Sequence, residues 1–399
     1  MRVGRVLPIA IAAAAVLVLG TAGATSAARK AAAAPIVIGA VIDTTKNMAP
    51  FDAPALEAAQ IEIKKINAAG GVDGHMLQLK FLNDQLDPQQ TKQDADQLIS
   101  QHVNIGWVTC DVDYSTPSIT EFLKAKLLTV APCIGTDEMG PSRFGSAGNL
   151  AFSFGNPAQE DGSVAAEYAI SRGWKTATVV TDNLLRYFQD VCKGFTNRFT
   201  ELGGKIVAQE SFKQGDKTIG NVVTRVHNEK PQAIMFCTSF GGDQPAFVSG
   251  LRSLGDQTPI LNGWASDGSY WWTKNPKVTN FYFVTYASAM AKDPDPAVQA
   301  FEAKMKATGQ PAQTGGFVTG ADTIDAIAYA IKKAGGSTDG ATLAGILSKL
   351  TNFKTLGGSI SFTPSLHSAV GRTYRVVEVN NNVAKVLKLV TVQKIANIH

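Results

Sequence analysis

From Ile36 onward, short apolar runs rich in β-branched residues alternate with longer segments of helical periodicity. The first run, IVIGAVID at 36–43, is almost entirely apolar, as is typical of a strand buried on both faces of a sheet. The segment at 55–71 then repeats apolar residues every three or four positions and ends at two glycines, which indicates a helix. Alternation of this kind predicts βαβ units, and therefore parallel sheets with right-handed crossovers.

The alternation runs through two consecutive series, which divide near Asn156. Predicted strands of the first series are 36–43, 77–84, 104–110, 127–133 and 150–155, and those of the second are 176–182, 205–212, 233–240, 259–264 and 281–287. Two such series predict an α/β protein with two doubly wound lobes. Open α/β sheets bind ligands in the crevice beyond the carboxyl ends of their strands, so the loops that follow the strands are the candidate functional sites.

Residues 1–27 have the pattern of a secretory signal peptide. Arg2 and Arg5 precede the apolar run VLPIAIAAAAVLVLG, and small residues at 22–24 supply an A-x-A pattern, so we expect cleavage between residues 24 and 34. The run is shorter than the ~20 residues that span a bilayer, which disfavours a membrane anchor, and no cysteine follows it for lipid attachment. We therefore expect an exported protein, periplasmic or secreted.

Four cysteines allow three disulfide pairings, and the export route favours oxidation over the alternative of four free thiols. Cys110 and Cys133 both end predicted strands that we expect to be neighbours in one sheet. Cys237 ends a strand of the second series, and Cys192 lies in the second turn of a helix that starts from the same edge. This topology favours the pairs Cys110–Cys133 and Cys192–Cys237, each bracing a loop at the crevice.

Patterns that would indicate catalysis, a metal or nucleic acid are weak in this sequence. The net charge is only +4, which falls short of a nucleic-acid footprint. None of the five histidines follows a predicted strand toward the crevice, and G-x-S-x-G, C-x-x-C and H-E-x-x-H do not occur. Asp111 and Asp113 could meet a cation, although a loop cap or helix N-cap is favoured. We expect no enzyme activity, no cofactor, no metal and no nucleic-acid partner.

The segments IVIGAVIDTT, IKKINAAGGVDG and LQLKFLNDQLDPQQT, in this order, resemble the type I periplasmic solute-binding proteins of branched-chain amino acid ABC transporters. Residues 66–74 and 84–88 match two motifs of that family, and the later segments GWVTCDVDYSTPS, LLTVAPCIGT, FGGDQPAFVSGLRSLG and GADTIDAIAYAI fall at the expected places. The resemblance implies two Rossmann-like lobes joined by three hinge crossings. We assign 35–156 plus 287–362 to the first lobe and 157–286 plus 363–399 to the second.

The resemblance also implies which residues bind the solute. The loops after the third and fourth strands would hold its polar groups, and Thr136 matches a threonine that binds through both its hydroxyl and its backbone N–H. Phe51 in the first loop and Phe240 would form aromatic walls, with core packing as the alternative. The expected ligand-binding residues are Phe51, Asp111, Asp113, Tyr114, Ser115, Thr136, Arg186, Tyr187, Phe240, Trp264 and Asp267.

Two departures from the family pattern leave the ligand open. Residues 111–114 replace a small, serine-rich loop and add negative charge where a ligand carboxylate would lie, and NGWASDGSYWW carries three tryptophans. An amide, a cationic or neutral polar compound, or an aromatic acid is therefore as compatible as leucine. The implied function is that of a monomeric solute-binding protein that closes around its solute and docks on a membrane permease. The alternatives are an exported ligand-sensing module and an exported hydrolase on the same frame.

Overall fold

A computed structural model describes residues 33–399, and the predicted signal peptide at 1–27 lies outside this range. The strands are β1 (Ile36–Ile42), β2 (Leu77–Asn83), β3 (Ile105–Val108), β4 (Leu128–Ala131), β5 (Ala151–Ser153), β6 (Thr176–Asp182), β7 (Lys205–Phe212), β8 (Ala233–Cys237), β9 (Ile260–Asn262), β10 (Phe281–Thr285), β11 (Phe353–Thr355), β12 (Gly358–Ile360), β13 (Tyr374–Asn380) and β14 (Val383–Val390). The helices are α1 (Ala49–Ala68), α2 (Pro88–Ser100), α3 (Val112–Lys124), α4 (Pro141–Phe144), α5 (Ala158–Ser171), α6 (Arg186–Glu201), α7 (Ile219–Glu229), α8 (Asp243–Ser253), α9 (Pro296–Ala307), α10 (Phe317–Lys333) and α11 (Gly340–Leu347).

The first sheet contains five parallel strands in the order β2-β1-β3-β4-β5. Its central strands β3 and β4 are buried at every position, which explains their continuous apolar sequence. Successive strand residues point to opposite faces. As a result, one face packs on α1, α10 and α11, and the other packs on α2 and α3.

The second sheet contains seven strands in the order β14-β13-β10-β9-β8-β6-β7. Strands β6 to β10 are parallel and wind in the same order as the first sheet, and β13 and β14 add an antiparallel edge. Helices α5 and α6 cover one face of this sheet, and α7 and α8 cover the other. The two doubly wound lobes predicted from the sequence are thus confirmed.

The chain crosses between the sheets three times: between β5 and α5, after β10, and before β13. Ser368 forms a parallel bridge with Ser153 of β5, and Ala369 N donates to Ser153 O at 3.0 Å. These bonds associate 368–369 with the first sheet. We therefore propose that the last crossing lies between Ala369 and Tyr374, later than the predicted boundary at 362–363.

Two predicted loops are instead the first turns of helices. Helix α1 begins at Ala49 and not at residue 55, so Phe51 is helical. Helix α3 begins at Val112, which places residues 113–115 within its first turns. Proline in a first turn costs no backbone bond, because the N–H groups there have no partner inside the helix. The structure also contains α9 and α11, which were not predicted from the sequence.

Disulfide bonds join Cys110 to Cys133 and Cys192 to Cys237, the pairing that the sequence favours. The first links the segments that follow β3 and β4, and the second links α6 to the end of β8. Each bond lies within one lobe and leaves the hinge unconstrained. A disulfide of this kind stabilises a fold by about 2–4 kcal/mol.

Candidate functional site

A cavity of about 20 Å³ lies between the carboxyl ends of the strands of the two sheets. Segments that follow β1, β3 and β4 supply its walls from the first lobe, and segments that follow β6, β8 and β9 supply them from the second. The lining residues are Met48, Phe51, Cys110, Asp111, Gly135, Leu185, Tyr187, Phe188, Phe240, Trp264 and Ala265. The cavity is therefore shared by both lobes.

The position of the cavity follows from the strand order. In each sheet the order reverses next to the first strand of its series, between β1 and β3 in one lobe and between β6 and β8 in the other. Loops on either side of such a switch point leave in opposite directions and open a crevice at the sheet edge. The cavity lies where the crevices of the two sheets meet.

Aromatic rings from both lobes form most of the cavity wall. The ring of Phe51, from the first lobe, makes an edge-to-face contact with the ring of Trp264, from the second lobe, and the ring centres lie 5.0 Å apart. Trp264 also contacts Tyr187 at 6.3 Å, and Phe188 contacts Phe240 at 6.0 Å. Arrangements of this kind add to the stabilisation that comes from buried area alone. The contact between Phe51 and Trp264 joins the two lobes across the cleft.

Tyr187 closes directly onto the backbone of Gly135 in the opposite lobe. A Cβ atom at Gly135 would lie 2.5 Å from Cδ2 and Cε2 of the Tyr187 ring, closer than side chains normally approach. The Tyr187 hydroxyl donates to Oδ2 of Asp161 at 2.6 Å, and Trp264 N lies 3.4 Å from the same oxygen. Burial raises the pKa of Asp161 to about 7, although the bond from Tyr187 opposes this shift.

Two hydrogen-bond donors at the cavity have no partner among residues 33–399. They are Nε1 of Trp264, which lines the cavity, and the hydroxyl of Thr136, which follows the lining residue Gly135. Thr136 is buried, and its carbonyl accepts from the Ser368 hydroxyl at 2.9 Å. Buried polar groups are nearly always hydrogen-bonded, so these donors are available to a solute.

Asp111 lines the cavity, but its carboxylate also caps a helix. Its Oδ1 accepts from the backbone N–H groups of Asp113 at 2.9 Å and Tyr114 at 3.1 Å, at the start of α3. Burial, followed by the charge of Asp113, raises the pKa of Asp111 to about 7. The hydroxyl of Ser115 donates to the carbonyl of Asp111 and is likewise engaged within the helix.

Asp113 and Arg186 bind each other across the cleft. Asp113 accepts from the backbone N–H of Arg186 at 2.9 Å and from Nη1 of Arg143 at 2.9 Å. Glu138 accepts from Arg143 at 2.7 Å and lies 3.3 Å from Nε of Arg186. The first lobe contributes Asp113, Glu138 and Arg143 to this group, and the second contributes Arg186. These four residues form a cross-cleft charge cluster that does not line the cavity.

Of the eleven residues expected to bind solute, the structure places five in the cavity wall: Phe51, Asp111, Tyr187, Phe240 and Trp264. Tyr114 is partly buried against the hydrophobic core and is not among the lining residues. Asp267 is fully buried, accepts from the Thr285 hydroxyl at 2.8 Å and from Gly315 N, and also lies outside the lining. Its carboxylate therefore ties the loop after β9 to the segment before α10.

Six lining residues were not among the eleven residues expected to bind solute: Met48, Cys110, Gly135, Leu185, Phe188 and Ala265. Gly135 directly precedes Thr136 in the loop after β4, so the expectation that ligands bind in loops after strands also covers Gly135. Leu185 and Phe188 flank Tyr187 at the start of α6, but Phe188 also fits the apolar stripe of that helix. For such a residue, only tertiary structure separates a core position from a site position.

Among residues 33–399, one group of three side chains brings possible metal-ligand atoms within 4.8 Å of one another, and it consists of Asp52, Cys110 and Cys133. Both sulfur atoms belong to a disulfide and offer no thiolate. The carboxylate of Asp52 already accepts from Asp43 N at 3.0 Å, from Cys110 N at 2.8 Å and from the Thr109 hydroxyl. This group braces the ends of β1 and β3 beneath the cavity.

A buried network joins the three crossings. Arg372 in the third crossing is fully buried and donates at 2.7 Å to Phe154 O, to Asn156 Oδ1 and to Asp322 Oδ2. Phe154 and Asn156 belong to the first crossing. Asn156 N donates to the hydroxyl of Tyr286, in the second crossing, at 3.2 Å. These hydrogen bonds thus connect all three crossings in one buried network.

Glu160 extends the network into α5 and carries a perturbed carboxyl. Its Oε2 accepts from Asn156 Nδ2 at 2.9 Å. Burial, followed by the neighbouring Asp161, raises the pKa of Glu160 to about 8, and Arg372 only partly opposes the shift. The folded chain therefore keeps a proton on Glu160 at pH values where the unfolded chain has lost it.

We expect the free energy of unfolding to fall as pH rises from about 4.5 to about 8, and Glu160→Gln to reduce this fall. Between these pH values the unfolded state binds fewer protons than the folded state, so the free energy of unfolding decreases with pH. For one group the decrease is at most about 1.4 kcal/mol per pH unit. Urea unfolding of both proteins at pH 5 and pH 8 measures the difference. Equal pH dependence in the two proteins would contradict a protonated Glu160.

The fold and the cavity define a class: two doubly wound lobes, three crossings, and a cavity built jointly by both lobes from their strand ends. This is the architecture of hinged proteins that enclose a small solute. The chain belongs to the periplasmic binding protein family, whose model matches residues 35–384. It therefore belongs to a family of solute-binding proteins, as the sequence resemblance implies.

Individual relatives agree with this assignment. Leu/Ile/Val-binding protein homolog 3 of Brucella melitensis is 23% identical over 343 residues, which cover 85% of this chain and 90% of that protein. The substrate-binding protein LivJ of Streptococcus pneumoniae, solved with isoleucine, superposes with a TM-score of 0.76 at 21% identity, over 89% of this chain and 99% of that one.

A third similar protein was solved with a different kind of solute. It is a solute-binding protein of an ABC transporter from Rhodopseudomonas palustris in complex with 3,4-dihydroxybenzoic acid. Its TM-score is 0.75 at 19% identity, over 91% of this chain and 98% of that one. At such identities the solved structures support the fold. Separately, no helix within residues 33–399 has the length and apolar character needed to cross a membrane.

Proposed function

We propose that this chain is an exported, monomeric solute-binding protein that delivers a small solute to the membrane permease of an ABC importer. The observation that carries the proposal is the cavity at the switch points of both sheets, because its walls come from both lobes. A solute in that position contacts both lobes only in the closed form, so binding shifts the population toward closure. Family membership supports export and the permease partner.

Solute entry requires the lobes to separate. The cavity of about 20 Å³ has room for roughly one water molecule, because Tyr187 and Trp264 of the second lobe pack closely on Gly135. A solute the size of an amino acid or an aromatic acid therefore enters an opened cleft, and the lobes then close around it until Tyr187 again approaches Gly135. Opening and closing around the three crossings supplies this motion.

The lining favours a solute with an apolar or aromatic body and no ammonium group. Asp111 is the one lining residue with a charged side chain, and its Oδ1 already accepts two backbone N–H groups. The donors without partners, Trp264 Nε1 and the Thr136 hydroxyl, suit an acceptor such as a carboxylate or amide oxygen. We infer that the solute is a small apolar carboxylate or amide.

The two kinds of solute carried by the similar proteins make this inference testable. One relative is named for leucine, isoleucine and valine, and one similar structure holds 3,4-dihydroxybenzoic acid. An α-amino acid brings an ammonium group that needs acceptors, whereas an aromatic acid does not. The chemistry of the lining favours the second kind of solute.

We expect thermal-shift measurements to separate these classes when the solutes differ by the ammonium group alone. The pairs are 4-methylpentanoate against leucine and 3-phenylpropionate against phenylalanine, with benzoate added as a shorter acid. A solute that binds should stabilise the chain by about 2.7 kcal/mol at 100 times its dissociation constant. Trp264→Phe and Thr136→Ala remove the free donors and should each reduce the shift.

A matched control is Trp272→Phe, because Trp272 packs at the edge of the second lobe's core and does not line the cavity. It should leave the shift unchanged. Stabilisation by leucine but not by 4-methylpentanoate would overturn the inferred solute class and preserve solute binding. A shift that survives both Trp264→Phe and Thr136→Ala would place the solute elsewhere. Turnover of a bound solute would favour an exported hydrolase instead.

A further inference from the structure

Residues 391–399, which follow β14, lie along one face of α5. Gln393 N donates to Oε2 of Glu167 at 3.0 Å, and Ala396 N donates to the hydroxyl of Ser163 at 2.9 Å. Glu167 and Ser163 are four residues apart, so they share a face of the helix. The segment therefore runs along α5 from its C-terminal part toward its N-terminal end.

Contacts at several points fix this segment to the second lobe. Ile398 is buried, with 1% of its surface exposed. The carbonyl of Asn397 accepts from Nδ2 of Asn197 in α6 at 2.7 Å. Glu167, which binds the start of the segment, is itself held by Arg198 at 2.7 Å. The segment is thus anchored to α5 and α6 along most of its length.

The last residue of the segment reaches the first lobe. Nε2 of His399 lies 2.8 Å from Oδ2 of Asp137. The same oxygen accepts from Nε2 of Gln159, at the start of α5, at 2.7 Å. Asp137 belongs to the loop after β4 and directly follows Thr136. Both partners of this carboxylate oxygen therefore come from the opposite lobe.

We propose that residues 391–399 form a strap that holds the cleft closed by binding Asp137 from the second lobe. The Asp137 side chain is 8% exposed, whereas that of His399 is 60% exposed. On opening, Asp137 loses both cross-lobe partners, so these contacts favour the closed form specifically. This closing role is independent of the solute and does not rest on the proposed function.

The strap differs from the cross-cleft charge cluster in its origin. Arg186 of the cluster lies in the same loop-to-helix segment as the lining residue Tyr187. The strap instead brings His399 to the cleft along a helix face outside the cavity. A change at His399 can thus alter closure and leave every lining residue in place.

Hydrogen–deuterium exchange and small-angle X-ray scattering, both without added solute, test the strap. We expect His399→Ala to speed amide exchange at residues 134–138 by about 3- to 10-fold, the factor that corresponds to the net strength of an ordinary hydrogen bond. The radius of gyration should rise at the same time. Asp137→Ala should have a larger effect, because it removes the bonds from both Gln159 and His399.

Lys394→Ala is the matched control, because Lys394 lies in the same segment and pairs with Glu201 inside the second lobe. It should leave exchange at 134–138 unchanged. If amides at 134–138 exchange at the same rate in His399→Ala as in Lys394→Ala, the proposed strap is wrong. Because His399 is exposed, its replacement leaves the core intact, and this comparison remains a test even if Asp137→Ala does not fold. A failed solute screen leaves these measurements unaffected.

Discussion

Replacing Arg372 with leucine is expected to lower the free energy of unfolding by about 3–5 kcal/mol, the cost of breaking a buried ion pair from one side. Arg372 and Asp322 are both fully buried and lie 2.7 Å apart. The substitution leaves the Asp322 carboxylate without its cation, and it leaves Phe154 O and Asn156 Oδ1 without a donor. Urea unfolding at neutral pH measures the loss.

The control is Arg225→Leu, which makes the same chemical change in an exposed ion pair with Glu210. Exposed pairs contribute about 0–1 kcal/mol, so this variant should be close to the unmodified chain. The double variant Arg372→Leu with Asp322→Leu should recover part of the loss, because it removes the uncompensated carboxylate. A loss at Arg372 no larger than that at Arg225 would contradict the role of the network in joining the crossings.

Two strands of the second series were predicted to the residue. The predicted strands 176–182 and 205–212 coincide with β6 and β7. Helix α9 was missed, although Asp295 caps it, Pro296 begins it, and Val298, Phe301 and Met305 form its buried face. A capping residue followed by proline is sufficient in principle to predict the start of a helix. These signals were overlooked because the apolar stripe of α9 is narrow and lies among charged residues.

The start of α1 shows why part of the site was placed in a loop. Pro50 and Pro54 suggest a break in the chain, yet both lie within the helix. Pro54 has no N–H to donate to the carbonyl of Pro50 four residues earlier. That carbonyl instead accepts from the hydroxyl of Thr314 at 3.2 Å. A residue 264 positions away in sequence supports the turn that presents Phe51, and no local pattern encodes this.

Some features of the site could likewise be predicted from the sequence, and others could not. Strand ends are readable from periodicity and point to the loops that follow them, and the family resemblance selects Asp111, Tyr187 and Trp264, all of which line the cavity. The pairing of Asp113 with the backbone N–H of Arg186 depends on how the two lobes meet. A sequence pattern gives residue type and position along a strand, but contacts between lobes arise only from the closed tertiary arrangement.

Gly135→Ala is expected to weaken solute binding about 5- to 150-fold, the range that corresponds to an overpacking cost of roughly 1–3 kcal/mol. The new Cβ would lie 2.5 Å from two ring atoms of Tyr187. That ring cannot easily withdraw, because its hydroxyl is bound to buried Asp161 at 2.6 Å. The closed form therefore becomes more costly, and the apparent dissociation constant rises as the closed population falls.

Calorimetric titration with the solute identified by thermal shift gives the affinity, and urea unfolding gives the stability. Because the overlap involves the opposite lobe, stability should change much less than affinity. Gly345→Ala is the control: Gly345 lies in α11 of the first lobe, and a Cβ there would meet no atom within 4 Å. If Gly135→Ala binds as tightly as this control, closure does not bring Tyr187 onto Gly135, and a closed cleft as the binding form would have to be abandoned.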